Sequence, residues 1–162
     1  MLRYVGFPTV LLSAVLACAF VVTEAHAKTS AKTAIHVKDV KVVAGGGGGP
    51  GAAYLTIINK SNKADKLVGA KSTAASRVMI HETVDEDGVL KMRHAKSFDI
   101  PASGKLVLKP GGRHLMLMGL APEVKPGTKI TLELQFQNAE PVKVTVPVLS
   151  PAQAHADESK AK

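Results

Sequence analysis

The residues with the clearest capacity for chemistry are a His-x-Met pair in residues 113–118. This segment reads RHLMLM, so leucines alternate with His114, Met116 and Met118. In a β-strand, side chains two residues apart point to the same face. If the two leucines face the core, the histidine and the methionines face outward, where methionine has no packing role. His114 and Met116 are therefore candidate metal ligands.

His81 and Met92 form a second candidate pair. Alternation over residues 77–81 puts His81 on the polar face of a strand, together with Met79. The acidic turn at residues 85–88 (DEDG) reverses the chain, and Met92 lies on the returning strand. Such a hairpin can bring His81 and Met92 close together, with a register that the sequence leaves open.

Two imidazoles and two thioethers have a definite metal preference. Thioether sulfur is a soft, neutral ligand that suits Cu(I) and binds zinc, magnesium or calcium poorly. A site without thiolates cannot be lost to disulfide formation in an oxidising compartment. The four residues therefore predict a reversible Cu(I) site. The alternative is a surface histidine with gap-filling methionines, which is common for each residue taken alone.

Three further residues share the predicted faces of the ligands. Met79 and Met118 could surround the ion with soft side chains, or could serve ordinary packing. His94 follows Met92 by two residues and is a candidate accessory ligand.

The composition excludes several classes of protein. The chain has one cysteine, Cys18, near its N-terminus. Cys18 lies in the apolar N-terminal segment that we interpret as an export signal, so no cysteine remains in the mature domain. This excludes a cysteine nucleophile, a Cys-x-x-Cys redox centre and a blue-copper site, because each needs a thiolate. The net charge is +8, but beyond residue 27 the only aromatic residues are Tyr54, Phe98 and Phe136. Stacking platforms for nucleic acid are therefore absent, and the charge indicates a solvated basic surface, with an anionic membrane surface or an acidic protein partner as the alternatives.

Residues 1–27 are interpreted as an export signal. Arg3 precedes an apolar run over residues 5–22, and Ala-His-Ala at residues 25–27 is a small-x-small cleavage site. We expect a periplasmic protein that is not inserted in the membrane after cleavage. One alternative is an uncleaved anchor, and another is a lipoprotein signal that attaches lipid to Cys18.

The rest of the chain predicts one all-β domain over residues 28–150, an antiparallel β-sandwich of the immunoglobulin-like or cupredoxin-like kind. Turn signals separate short strands, and a run of glycines at residues 45–49 predicts a loop. Beyond residue 150 the composition predicts a disordered tail over residues 151–162. The predicted strands are residues 35–43, 53–59, 77–82, 89–93, 97–100, 105–108, 114–120, 129–136 and 142–148.

The spacing of the four candidate ligands resembles that of the periplasmic PCuAC-type copper chaperones. The family signature is a histidine, ten residues, a methionine, twenty-one residues and then His-x-Met, and His81, Met92, His114 and Met116 match it in full. The similarity extends from about residue 35 to residue 148, and includes the segment LKPGG before His114.

The resemblance implies a cupredoxin-like sandwich that carries Cu(I), with Cu(II) as a further possibility. We expect no catalytic activity, because no Ser-His-Asp arrangement or carboxylate pair stands out in the sequence. The resemblance also implies delivery to the dinuclear copper centre in subunit II of cytochrome c oxidase, directly or through Sco-type proteins. We expect a monomer. The His- and Met-rich C-terminal extension of some members is missing, since the tail holds only His155. The alternatives are a general copper-buffering protein and a metal-free adhesion or structural module.

Overall fold

The computed structural model describes residues 34–160, and the side chains of residues 34–156. The predicted signal over residues 1–27 lies outside this part of the chain. The described residues form ten strands and one helix: β1 Ile35–Ala44, β2 Gly51–Asn59, β3 Asp65–Lys71, β4 Ala75–Glu86, β5 Val89–His94, β6 Phe98–Ile100, β7 Lys105–Leu108, β8 His114–Leu120, β9 Lys129–Phe136, β10 Val142–Leu149 and α1 Pro151–Lys160.

The strands follow the spatial order β5-β4-β8-β2-β1-β10-β9-β3-β6, and β7 pairs with β2 outside this path. All pairings are antiparallel except that of β1 with β10, where Val42 lies opposite Val148. Both halves of the sheet contribute to one apolar core. The predicted all-β sandwich is confirmed, and the parallel β1–β10 pair is its one departure from an antiparallel arrangement.

Alternation along the strands explains where the core lies. Along β2 the side chains alternate between buried and half-buried over the whole strand. Leu115 and Leu117 on β8 are both 0% exposed, as are Leu132 and Leu134 on β9. Burial of one such leucine stabilises the fold by about 1.5–3 kcal/mol, so these strands are fixed with one face inward. The opposite face of β8 is thereby fixed outward from the core.

One strand, β3, is missing from the sequence prediction. Its ladder to β9 shifts register between Leu67 and Gly69. Such a bulge inserts an extra residue into the strand, so the apolar residues Leu67 and Ala70 are buried three positions apart. The two-residue period that identifies a strand is therefore lost.

The structure has a helix, α1, in the segment for which the sequence predicts disorder. Its start is a capping box. The backbone N–H of Gln153 donates to Ser150 Oγ at 3.2 Å, and the backbone N–H of Ser150 donates to Gln153 Oε1 at 2.8 Å. Pro151 occupies the first helical position, where its missing N–H costs nothing. Among residues 34–160, no helix is long and apolar enough to span a membrane.

Candidate metal centre

Three neighbouring strands carry the candidate ligands on one face of the sheet. In the β4–β8 ladder, His81 lies directly opposite His114, and Met79 lies opposite Met116. In the β4–β5 ladder, Met92 lies opposite Thr83, which is two residues from His81 and on the same face. Directly opposite and diagonal neighbours on one face are close enough for their side chains to interact. The register therefore brings His81, Met92, His114 and Met116 together.

His81 is at the centre of this group. Its Nδ1 lies 3.2 Å from the Sδ of Met92, and its ring centroid lies 5.8 Å from that of His114. Burial lowers the pKa of His81 below its usual value, and His114 and His94 lower it further by charge repulsion. A lowered pKa favours the neutral imidazole at neutral pH, and this is the form that binds a metal.

The side chain of His114 lies on the other face of β8 from the leucines, as predicted, but it does not face open solvent. The residue is only 6% exposed. The ring of Tyr54, from β2, has its centroid 6.4 Å away, and the ring of His81 covers another side. His114 therefore lies on the predicted face of the strand but is buried, because side chains of β2 and β4 cover this part of the outer face.

The turn before β8 orients the ring of His114. Nδ1 of His114 donates to the carbonyl oxygen of Gly112 at 2.9 Å, and the same oxygen accepts from the backbone N–H of Thr83 at 3.2 Å. A carbonyl oxygen only accepts, so Nδ1 carries the proton. In the neutral ring, Nε2 then keeps its lone pair and is free to bind a metal. Such a bond from a ring nitrogen to a backbone carbonyl is typical of metal-binding histidines.

The turn itself is held in place on both sides. The backbone N–H of Lys109 donates to the carbonyl oxygen of Arg113 at 2.8 Å, and the backbone N–H of Gly112 donates to the carbonyl oxygen of Lys109 at 3.1 Å. Gly111 has a φ of 69°, which glycine adopts without strain. The guanidinium of Arg113 lies 5.1 Å from the centroid of the Phe98 ring. The Gly112 carbonyl is therefore fixed before any ligand arrives.

The group is open to solvent on the side of the β4–β5 hairpin. Met92 is 55% exposed, and the neighbouring Val89 and Leu90 are also exposed. A cleft of about 340 Å³ adjoins the group, and Met92, His114 and Met116 are among its lining residues. The other lining residues come from β1, β2, the glycine loop, the turn before β8, Thr83 and Pro151. A partner molecule can therefore reach the sulfur atoms directly.

The three accessory residues are placed differently. His94 lies opposite His81 in the β4–β5 ladder, with ring centroids 5.8 Å apart. Met79 pairs with Met116, whereas Met118 pairs with Arg77 farther along β8. Within residues 34–160, no group of three or more His, Cys, Asp or Glu side chains is arranged to hold a metal ion. A set of two imidazoles and two thioethers fits a soft ion such as Cu(I).

Sequence reasoning missed Tyr54 and the Gly112 carbonyl. Tyr54 is distant in sequence, and no motif indicates its place beside His114. The glycines before the histidine gave a partial signal, because they mark a turn whose carbonyl groups point in unusual directions.

Comparisons with known proteins are consistent with this architecture. Residues 35–148 match the model of the LpqE-like family, described as "Putative lipoprotein LpqE-like". The chain is 42% identical over 126 residues to "Putative lipoprotein Lxx21020" of Leifsonia xyli subsp. xyli, with 76% of each chain covered.

Two solved structures share the fold. The solution structure of CuI-DR1885 from Deinococcus radiodurans is 30% identical, with a TM-score of 0.56, and the match covers 75% of this chain and 83% of that one. The copper-bound PCuAC domain from PmoF2 is 21% identical, with a TM-score of 0.61 and coverage of 73% and 94%. These likenesses confirm the predicted cupredoxin-like sandwich. The family match, which spans almost the whole described domain, shows that the chain belongs to the LpqE-like family.

Proposed function

We propose that the protein is an exported Cu(I) chaperone that binds its cargo through His81, Met92, His114 and Met116. The observation that carries the proposal is the meeting of two imidazoles and two thioethers on one face of β4, β5 and β8, with Nε2 of His114 left free by the Gly112 bond. The structural neighbour CuI-DR1885, which is 30% identical to this chain, is described as carrying Cu(I), and this supports the same ion.

The arrangement suits transfer better than permanent storage. All four ligands are neutral, so the ion is held without the strong attraction that a thiolate provides. The ligands also differ in exposure, because Met92 is 55% exposed and His114 is 6% exposed. A partner's thiolate would first displace Met92 and last displace His114. The role is binding and release, without a catalysed reaction.

Met116→Leu tests the site with little change in packing. Leucine keeps the volume of methionine, which usually costs less than about 1.5 kcal/mol of stability, but it removes the sulfur. We expect the affinity for Cu(I) to fall by about tenfold or more, which corresponds to about 1.4 kcal/mol. Competition with a Cu(I) chelator under reducing conditions measures this change.

The matched control is Met118→Leu. Met118 is half-buried on the same face of the same strand, but it pairs with Arg77 and lies farther from His81. Its replacement should leave the Cu(I) affinity unchanged. Equal affinities in wild type, Met116→Leu and Met118→Leu would remove Met116 from the ligand set.

As the acceptor we propose the dinuclear copper centre in subunit II of cytochrome c oxidase, reached directly or through a Sco-type protein. The support is the resemblance in ligand spacing, together with the exposed thioether side of the site. Mixing the Cu(I)-loaded protein with purified, reduced apo subunit II should transfer two copper ions to each subunit II, and removal of one electron by added ferricyanide should then produce the absorption of the mixed-valence dinuclear centre. If copper stays on the protein while a deletion strain keeps full oxidase activity but tolerates less copper, general copper buffering is the better description.

We place the protein in the periplasm. The lipoprotein name of its relative gives weight to the alternative in which lipid is attached to Cys18. The intact mass of the processed protein separates the two forms, because cleavage after Ala27 leaves an unmodified chain that starts at Lys28.

A further inference from the structure

A third imidazole lies beside the candidate site and has no part in the four-residue set. His94 ends β5 directly opposite His81, and their ring centroids are 5.8 Å apart. The same distance separates the rings of His81 and His114 on the other side. The three histidines therefore form a row across β5, β4 and β8, with His81 in the middle.

The backbone at His94 is fixed, whereas its side chain lies at the protein surface. The next residue, Ala95, donates its N–H to the carbonyl oxygen of Ile80 at 2.9 Å, which ties the end of β5 to β4. The side chain of His94 itself is exposed. As the side chains stand, the three histidines are not grouped closely enough to hold one metal ion, so binding by all three requires rotation of the exposed His94 side chain toward His81.

The two oxidation states of copper prefer different donors. Cu(I) accepts thioether sulfur, whereas Cu(II) favours nitrogen ligands in a tetragonal arrangement. His81 and His114 belong to both possible sets. Adding Met92 and Met116 gives a set of two imidazole nitrogens and two thioether sulfurs. Adding His94 instead gives a set of three imidazoles.

We propose that His94 is the third nitrogen ligand when the site holds Cu(II), and that it takes no part in Cu(I) binding. The inference rests on the proposed function, because it uses His81 and His114 as ligands in both states. Cu(II) would then be held at the same face by His81, His94 and His114, with the thioethers displaced or weakly bound. No change of oxidation state on the protein is needed, since either ion can be supplied from solution.

His94→Gln tests this inference on the purified full-length processed protein. Titration of the wild type with Cu(II) should give an electron paramagnetic resonance spectrum with coupling to three imidazole nitrogens. In His94→Gln the coupling should fall to two nitrogens, and the Cu(II) affinity should fall by about tenfold to a hundredfold, as for the loss of other metal-site partners. The Cu(I) affinity should stay within about twofold of the wild type, because no thioether is lost.

The control variant is His155→Gln, which removes an exposed histidine of α1 that is not part of the row. It should leave both spectrum and affinities unchanged. Three-nitrogen coupling that persists in His94→Gln, or an unaltered Cu(II) affinity, would overturn the role of His94. A wild type that fails to bind Cu(I) would instead refute the proposed function, so the two failures can be told apart.

Discussion

His114→Asn should lower the affinity for Cu(I) by about a hundredfold or more, a loss of about 2.7 kcal/mol in binding free energy, while the domain keeps its fold. Asparagine places an N–H donor near the position of the histidine Nδ1 and can keep the bond to the Gly112 carbonyl. It removes Nε2, the nitrogen that the bond leaves free for a metal. The change therefore separates the orienting bond from the metal bond.

The loss should exceed that of Met116→Leu for two reasons. Imidazole nitrogen is a stronger donor to copper than thioether sulfur, and His114 is held in place before binding, so little freedom is lost when the ion arrives. His155→Asn serves as control, because its ring is exposed in α1 and far from β8 in sequence. Chelator competition measures the affinities, and circular dichroism verifies the fold. A folded His114→Asn variant with wild-type affinity would contradict the assignment of the site.

The sequence predicted the faces of β8 but not the surroundings of its ligands. Alternation correctly assigned Leu115 and Leu117 to the core, because both are 0% exposed. Alternation says nothing of neighbours that arrive from other strands, so the burial of His114 beside Tyr54 could not be foreseen. The positions of the four residues are now known. Their role as ligands stays a prediction, which Met116→Leu and His114→Asn test for two of them.

The register of the β4–β5 hairpin was a second quantity beyond the reach of the sequence. A shift by one residue would have moved Met92 to the opposite face. The structure fixes Met92 opposite Thr83 and His94 opposite His81. The spacing between ligands agrees with this register, yet only the ladder shows that His94 lies beside the same histidine.

At the C-terminus the prediction and the structure differ, although the sequence there contains the signals of a helix start. Ser150, Pro151 and Gln153 have the types and spacing of a helix start, and they form the capping box of α1. The polar composition after Gln153 concealed α1, because a helix without an apolar face gives no periodic pattern of apolar residues. In β3 the bulge after Leu67 concealed the strand in a comparable way.

Gly119→Ala should lower the free energy of unfolding by about 3 kcal/mol, although it adds a single methyl group. Gly119 has a φ of 60°, which residues with a side chain adopt at a cost of about 1–2 kcal/mol. A Cβ at this position would also lie 2.5 Å from Ser76 Oγ and 3.0 Å from Ser76 Cβ. The hydroxyl cannot move away freely, because it donates to the carbonyl oxygen of Gly119 at 3.1 Å.

Gly127→Ala separates the two causes of this loss. Gly127 also has a positive φ, 92°, but apart from its own atoms and its two chain neighbours nothing lies within 4 Å of the Cβ that alanine would add. It should therefore lose only the backbone part, about 1–2 kcal/mol, in urea unfolding of the copper-free protein. Ser76→Ala combined with Gly119→Ala should recover part of the larger loss, because the atom at 2.5 Å is removed while Cβ remains. If Gly119→Ala and Gly127→Ala cost the same, contact with Ser76 is not what requires glycine at the end of β8. In that case the backbone conformation alone explains its presence there.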